Sequence, residues 1–160
     1  MESILVIGNG MVGYKFCEKF VAKEFSEKFK ITVFGEEPRP AYDRVHLSEF
    51  FENGDAKALE MAPRSWYEEH NIELITNERV TDIHRASKTI TTISEKIYSY
   101  DYLVLATGSS PFVPSIKGVE KKGVFVYRTI EDLEGMMAYA DALKKRNPNA
   151  KAAEGELIES

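Results

Sequence analysis

Three glycines near the start of the chain have a spacing that could do chemistry. In Gly8-Asn9-Gly10-Met11-Val12-Gly13 they occupy the first, third and sixth places of the run. Glycine at the first place permits a tight turn. At the third it lets backbone approach a diphosphate, and at the sixth it lets a helix lie against a strand. A helix starting there would add unpaired N–H groups and the positive end of its dipole, both of which attract anions. The pattern carries weight only with a strand before it and a helix after it.

Both elements are legible. Ile4-Leu5-Val6-Ile7 is a continuous aliphatic run, the pattern of a parallel strand covered on both faces. After the glycines, Val12, Phe16 and Phe20 recur every four residues and predict the buried face of a helix, with Lys15, Glu18, Lys19 and Lys23 mostly elsewhere. Ile31-Thr32-Val33-Phe34 predicts a second strand, which completes a βαβ unit. Glu36, with Glu37 beside it, stands at the end of that strand, where a carboxylate can accept hydrogen bonds from an adenosine ribose. A glycine-rich turn that binds nothing would leave this acid unexplained. An acid there also disfavours a 2′-phosphate, so NADP is a poor fit, while FAD and NAD both remain open.

Further along, two prolines in Pro38-Arg39-Pro40-Ala41-Tyr42-Asp43-Arg44 predict a loop. Short helices are expected over Leu47 to Glu52 and from Pro63 to His70, the latter with proline in its first turn. A strand is expected over Ile72 to Ile75. From Val80 to Tyr100 the apolar period shifts towards two, and three short strands (Val80 to His84, Thr89 to Ile93, Lys96 to Tyr100) read as an antiparallel meander. Tyr102-Leu103-Val104-Leu105-Ala106 returns to the parallel sheet. Val124-Phe125-Val126 is expected as a further strand. Thr129-Ile130-Glu131-Asp132 has a hydroxyl followed three places later by an acid, and Leu133, Met137 and Ala140 follow at helical spacing. The organisation expected is one domain over residues 1–146 and a mobile tail over 147–160.

Four segments, in order, resemble a known family. They are Val6 to Gly13, Glu36 to Ser48, Glu78 to Ile83 and Tyr102 to Ser109. Together they are similar to the FAD-binding half-domain of the flavoprotein reductases of the pyridine nucleotide-disulfide oxidoreductase type. The nearest resemblance is to the large subunits of NAD(P)H-dependent nitrite reductases, and a more distant one is to ferredoxin and rubredoxin reductases. The likeness covers about residues 2–145. The fold it implies is α/β: a Rossmann-like parallel sheet with an antiparallel β-meander, a ββα three-layer FAD/NAD(P)-binding domain that is incomplete.

The resemblance also implies a cofactor set. Gly8, Gly10 and Gly13, with Met11 and Val12 of the same turn, would surround the FAD pyrophosphate. Glu36 would hold the adenosine ribose, with Glu37 beside it. Arg44 would neutralise phosphate charge and Ser48 would line the flavin end. Val80 would meet the adenine through its backbone. Ala106, Thr107 and Gly108 would close over the cofactor, and Arg128 would add a polar contact. Taken alone, Arg44 is a loop cation and Ser48 a helix-start hydroxyl. No side chain stands out as a general acid or base. The function implied is an FAD-binding domain whose flavin relays electrons from nicotinamide to a metal-centre acceptor. NAD(P)H is expected only in the full-length parent enzyme. The alternative is a non-enzymatic nucleotide-binding or dimerisation module.

Composition removes other classes. The chain has 160 residues, 43% of them hydrophobic and 29% charged, which suits a globular domain rather than a disordered chain. A formal net charge of −5 argues against nucleic acid and anionic membrane as partners. One cysteine, Cys17, cannot form an internal disulfide, a CxxC pair or a Cys-rich metal site. The disulfide branch of the family carries a cysteine pair after its first helix, so thiol–disulfide transfer is excluded here. His46, His70 and His84 lack metal-ligand spacing, and no metal site is expected. No apolar run is long enough for a signal peptide or a membrane span, so the default compartment is the cytoplasm. A complete reductase would begin a second glycine fingerprint near Ala150, whereas Lys151 to Glu156 is polar and has none. The expectation is therefore a truncated product, a fragment or one piece of a split assembly. An exposed apolar surface for a missing domain or a homodimer is expected with it.

Overall fold

The computed structural model describes residues 1–23 and 28–146. The tail expected over 147–160 lies outside the described residues. The described residues separate into two compact units, one over residues 1–110 and a second that begins at residue 111.

The first unit opens with strand β1 (Glu2–Ile7), helix α1 (Met11–Val21) and strand β2 (Phe29–Phe34). A 3₁₀ turn (Leu47–Glu49) runs into helix α2 (Phe50–Asn53), and a second 3₁₀ turn (Ala56–Leu59) precedes helix α3 (Arg64–Glu69). Strand β3 (Ile72–Ile75) follows, then β4 (Val80–His84), β5 (Thr89–Thr92), β6 (Ile97–Ser99) and β7 (Tyr102–Leu105). β3, β2, β1 and β7 form one four-stranded sheet in that order, with every neighbouring pair parallel. β4, β5 and β6 form a separate antiparallel sheet of three strands.

The aliphatic run of β1 is explained by what covers each face. Ile4 and Val6 join Ile31, Val33 and Ile72 in a cluster completed by Tyr14 and Cys17 of α1 and Tyr67 of α3. Leu5 and Ile7 point the other way, into a cluster with Phe34 and with Ile90 of β5. Tyr98 of β6 closes that side with its ring centroid 4.9 Å from that of Phe34. Helices thus cover one face and the meander covers the other, the ββα layering expected from the sequence. Each such fully buried side chain contributes about 1.5–3 kcal/mol. At the opposite end, Ser3 N–H and Oγ both donate to Asp101 Oδ2, at 2.7 and 3.0 Å, and so join the starts of β1 and β7.

Several elements differ from the expectation. In α1 the buried residues are Gly13, Tyr14 and Cys17, while Val12 is 70% exposed. Gly13 must face the strand, and this turns Val12 out into solvent, while Phe16 and Phe20 of the expected stripe stay half-buried against the core. Pro63 caps α3 in an extended conformation and lies outside its first turn. In the second unit Val124 to Val126 is not a strand. Without a hydrogen-bonded neighbour an extended apolar triplet forms no ladder, and Val124 and Phe125 stay exposed. Helix α4 (Ile130–Arg146) does begin at the expected box: Asp132 N–H donates to Thr129 Oγ1 at 3.1 Å, and Thr129 N–H donates to Asp132 Oδ2 at 2.8 Å. Its buried residues are Ile130 and Leu133, and the apolar stripe does not continue inward through Met137 and Ala140. Among the described residues no helix is long and apolar enough to cross a membrane.

Two outcomes follow from this packing. Cys17 is fully buried, and burial pushes its thiol pKa up to about 12. A chromogenic thiol reagent at pH 8 should leave the native protein unmodified and react with one equivalent in denaturant. Glu78 accepts hydrogen bonds from Ser94 Oγ and Ser94 N–H, and these hold its carboxyl below the usual glutamate value. The stability this gives is present above the unfolded value of about 4.3 and is lost as pH falls through the lower folded value. Melting temperature measured against pH should therefore fall less steeply below about pH 4.5 in Glu78→Gln than in the parent chain.

Candidate nucleotide site

The carboxyl ends of β1, β2 and β7 lie side by side. Gly8 N–H donates to Phe34 O at 2.9 Å, and Ala106 N–H donates to Ile7 O at 2.8 Å. The crevice beyond strand ends in such a sheet is where ligands bind in this class of fold.

The three glycines behave differently. Gly8 has φ +111°, and a Cβ built there would stand 2.2 Å from Ala106 O. A Cβ on Gly13 would stand 2.0 Å from Gly8 O. Neither position can carry a side chain, because strand, turn and helix cross at van der Waals contact. Gly10 is the opposite case: a Cβ there meets nothing within 4 Å. Its backbone faces open space at the N-terminus of α1. Gly10 is also the N-cap residue of that helix, no side chain caps it, and its first turn carries no acid. Tyr14 N–H takes Gly10 O at 3.0 Å as the first helical bond. These features fit a diphosphate, which needs close backbone, free N–H groups and no competing negative charge. Met11 is half-buried beside the turn.

The two acids after β2 have separate fates. Glu36 is exposed, with Arg79 Nε 3.8 Å from its Oε2. Glu37 is drawn into the following loop: Tyr42 Oη donates to its Oε2 at 2.7 Å, and Arg44 Nη2 forms an ion pair with its Oε1. The Arg44 guanidinium also lies 4.8 Å from the Tyr42 ring centroid. This loop is pinned to the segment before α3, since Asp43 N–H donates to Leu59 O and Met61 N–H donates to Ala41 O, both at 2.8 Å.

The structure brings Gly8, Gly13 and Ala106 into contact and joins Glu37 to Arg44. Thr107 and Gly108 continue from β7 and are exposed, Gly108 with φ +69°. Val80 is half-buried at the start of β4, paired with Thr92, and belongs to the cluster that covers the second face of the sheet. Ser48 is exposed in the first 3₁₀ turn. Arg128 belongs to the second unit, where its N–H donates to Asp132 Oδ2 at 3.0 Å. Arg79, which the sequence marks only as part of the third resembling segment, proves to be the ionic neighbour of Glu36. Among the described residues no group of three or more His, Cys, Asp or Glu side chains could hold a metal ion.

The sequence profile of the pyridine nucleotide-disulphide oxidoreductase family matches residues 2–145. The chain belongs to that family. The NADH nitrite reductase large subunit of Escherichia coli K12 is 44% identical over 142 residues, a stretch covering 89% of this chain and 17% of that protein. The assimilatory nitrate reductase electron transfer subunit of Bacillus subtilis is 38% identical, over 90% of this chain and 19% of its own length. This member of the family therefore spans under a fifth of the length of those relatives. Among solved structures, a NAD-dependent persulfide reductase from A. fulgidus superposes with a TM-score of 0.77 at 27% identity, covering 88% of this chain and 27% of the other. NADH:rubredoxin oxidoreductase from Clostridium acetobutylicum gives 0.73 at 25% identity, covering 90% and 36%.

The glycine geometry separates folding from binding. Gly13→Ala should cost at least about 2 kcal/mol of stability despite the better helix propensity of alanine. Gly10→Ala should stay within about 1 kcal/mol of the parent chain. Urea unfolding of the ligand-free protein measures both.

Proposed function

We propose that this chain is the FAD-binding part of an NAD(P)H-dependent flavoprotein reductase of the nitrite reductase type. Its flavin would relay electrons from a nicotinamide to a metal-centre acceptor. The observation that carries this reading is the open space over Gly10, framed by two glycines that can bear no side chain. It is supported by membership of the family and by the relatives named above.

The residues divide the work as follows. Gly8 and Gly13 let β1, α1 and β7 converge. Gly10 and the first N–H groups of α1, including those of Met11 and Val12, would receive the two phosphates. Glu36 reaches solvent at the end of β2 and would take the ribose hydroxyls. Glu37, already engaged by Tyr42 and Arg44, would hold the guanidinium near the phosphates rather than touch the ribose itself. Val80, Ala106, Thr107 and Gly108 would line the walls, with Ser48 towards the flavin. When bound, the isoalloxazine ring supplies the two-electron and one-electron chemistry. The buried thiol of Cys17 is placed for packing and not for redox exchange.

The test is titration of the purified chain with FAD, followed by flavin fluorescence, with ADP and NAD as comparison ligands. Saturable binding is expected for FAD, and Gly10→Glu should weaken it at least about a hundredfold by placing a carboxylate in the phosphate space. Equal binding of ADP, NAD and FAD would favour a generic adenine-nucleotide module instead. No binding at millimolar FAD would end the FAD reading.

A further inference from the structure

Asn9 stands between the two glycines that shape the phosphate turn, and its side chain is held from two sides. On one side Tyr67 Oη donates to Asn9 Oδ1 at 3.1 Å. Tyr67 is 1% exposed, and burial raises its hydroxyl pKa further above the ordinary tyrosine value, so it stays a neutral donor. On the other side lies Gly35, the residue before Glu36. A Cβ built on Gly35 would stand 3.1 Å from Asn9 Cβ and 3.9 Å from Asn9 Nδ2. Gly35 is not in the left-handed region, so its lack of a side chain answers to the approach of Asn9 and not to backbone conformation. Gly35 is itself fixed: its N–H donates to Ile75 O at 2.8 Å, and its carbonyl accepts from Glu78 N–H at 3.0 Å.

The amide has one further property. Asn9 Nδ2 is buried and has no hydrogen-bond partner among the described residues. A buried donor without an acceptor is costly, but a small apolar residue at this place would leave the Tyr67 hydroxyl without its acceptor instead. The amide thus serves the buried Tyr67 hydroxyl with its oxygen while its nitrogen faces Gly35, at the head of the Glu36 turn.

We propose that Asn9 is a positioning residue that sets the separation between the phosphate turn and the Glu36 turn, and that Tyr67 holds it in place. This inference rests on the nucleotide reading of the site. A ligand carrying an ADP moiety spans both turns, with its diphosphate at Gly10 and its ribose at Glu36. The length between those groups is fixed by covalent geometry, so a shift of one turn against the other loses one of the two contacts. Tyr67 comes from α3, so the packing of that helix on the sheet is transmitted to the ligand turn through one hydrogen bond.

The experiment is a double-mutant cycle of Asn9→Ala and Tyr67→Phe. The dissociation constants for FAD and ADP are read by fluorescence and calorimetry, and the ligand-free melting temperature is recorded for each variant. Asn9→Ala should weaken both ligands about tenfold, and Tyr67→Phe about three- to tenfold, the scale of one lost positioning hydrogen bond. The double variant should bind no more weakly than Asn9→Ala alone, because Tyr67 acts through Asn9. A purely structural role would move melting temperature and leave the dissociation constants of the folded protein unchanged. Wild-type affinity in either single variant, or losses that multiply in the double variant, would overturn the proposal. Tyr67→Phe keeps the core ring and serves alone if Asn9→Ala does not fold. If the parent chain binds ADP but not FAD, the flavin assignment fails and Asn9 is judged on ADP. If it binds neither, both readings fall.

Discussion

The contact on which the rest depends is the crossing of Gly8, Gly13 and Ala106. Here a strand end, a helix start and a neighbouring strand end meet with no room for a single methyl group. Interiors of proteins are packed too densely to absorb a methyl at such a point without moving backbone. The crossing therefore fixes the tilt of α1 against the sheet. It also overrides the helix's own amphipathic preference: Val12 is left in solvent so that Gly13 and Tyr14 can face inward. The free N-terminus of α1 and the open space at Gly10 are consequences of that orientation.

The second constraint is coverage of both faces of β1. Alternate residues feed two clusters, and each needs a different partner. The helices supply one. The other comes from the meander, whose Ile90 is fully buried although its neighbours Thr89 and Thr91 are not. This explains why a short, polar-looking antiparallel sheet interrupts a parallel fold: its inner face closes the core, and it brings β4 to the same face of the sheet.

The charges near the strand ends are arranged rather than merely abundant. Of two adjacent acids, one is committed to Tyr42 and Arg44 and the other reaches solvent near Arg79. Half-buried pairs such as Glu37–Arg44 hold their geometry better than exposed ones, which are worth little in stability. The effect of this arrangement is on position: the guanidinium is anchored in the loop that follows β2, with the Tyr42 ring beneath it. Among the comparisons, the relatives are several times longer than this chain. The residues of this arrangement all lie within residues 1–110.

By itself the sequence determined the βαβ unit, the meander, the glycine turn and the acid after β2. Each of these is written in local terms: apolar period, glycine spacing and the residue at a strand end. The helix box at Thr129 was legible for the same reason, since its partners are three residues apart. Only the tertiary structure decided which face of α1 is buried, that Val124 to Val126 finds no strand to pair with, and that Glu37 and Glu36 have different neighbours. Only the fold, likewise, brings Tyr67 to Asn9 across 58 positions of sequence. These outcomes depend on groups that meet through space, and a close approach between backbones leaves no trace in periodicity beyond the glycines that permit it.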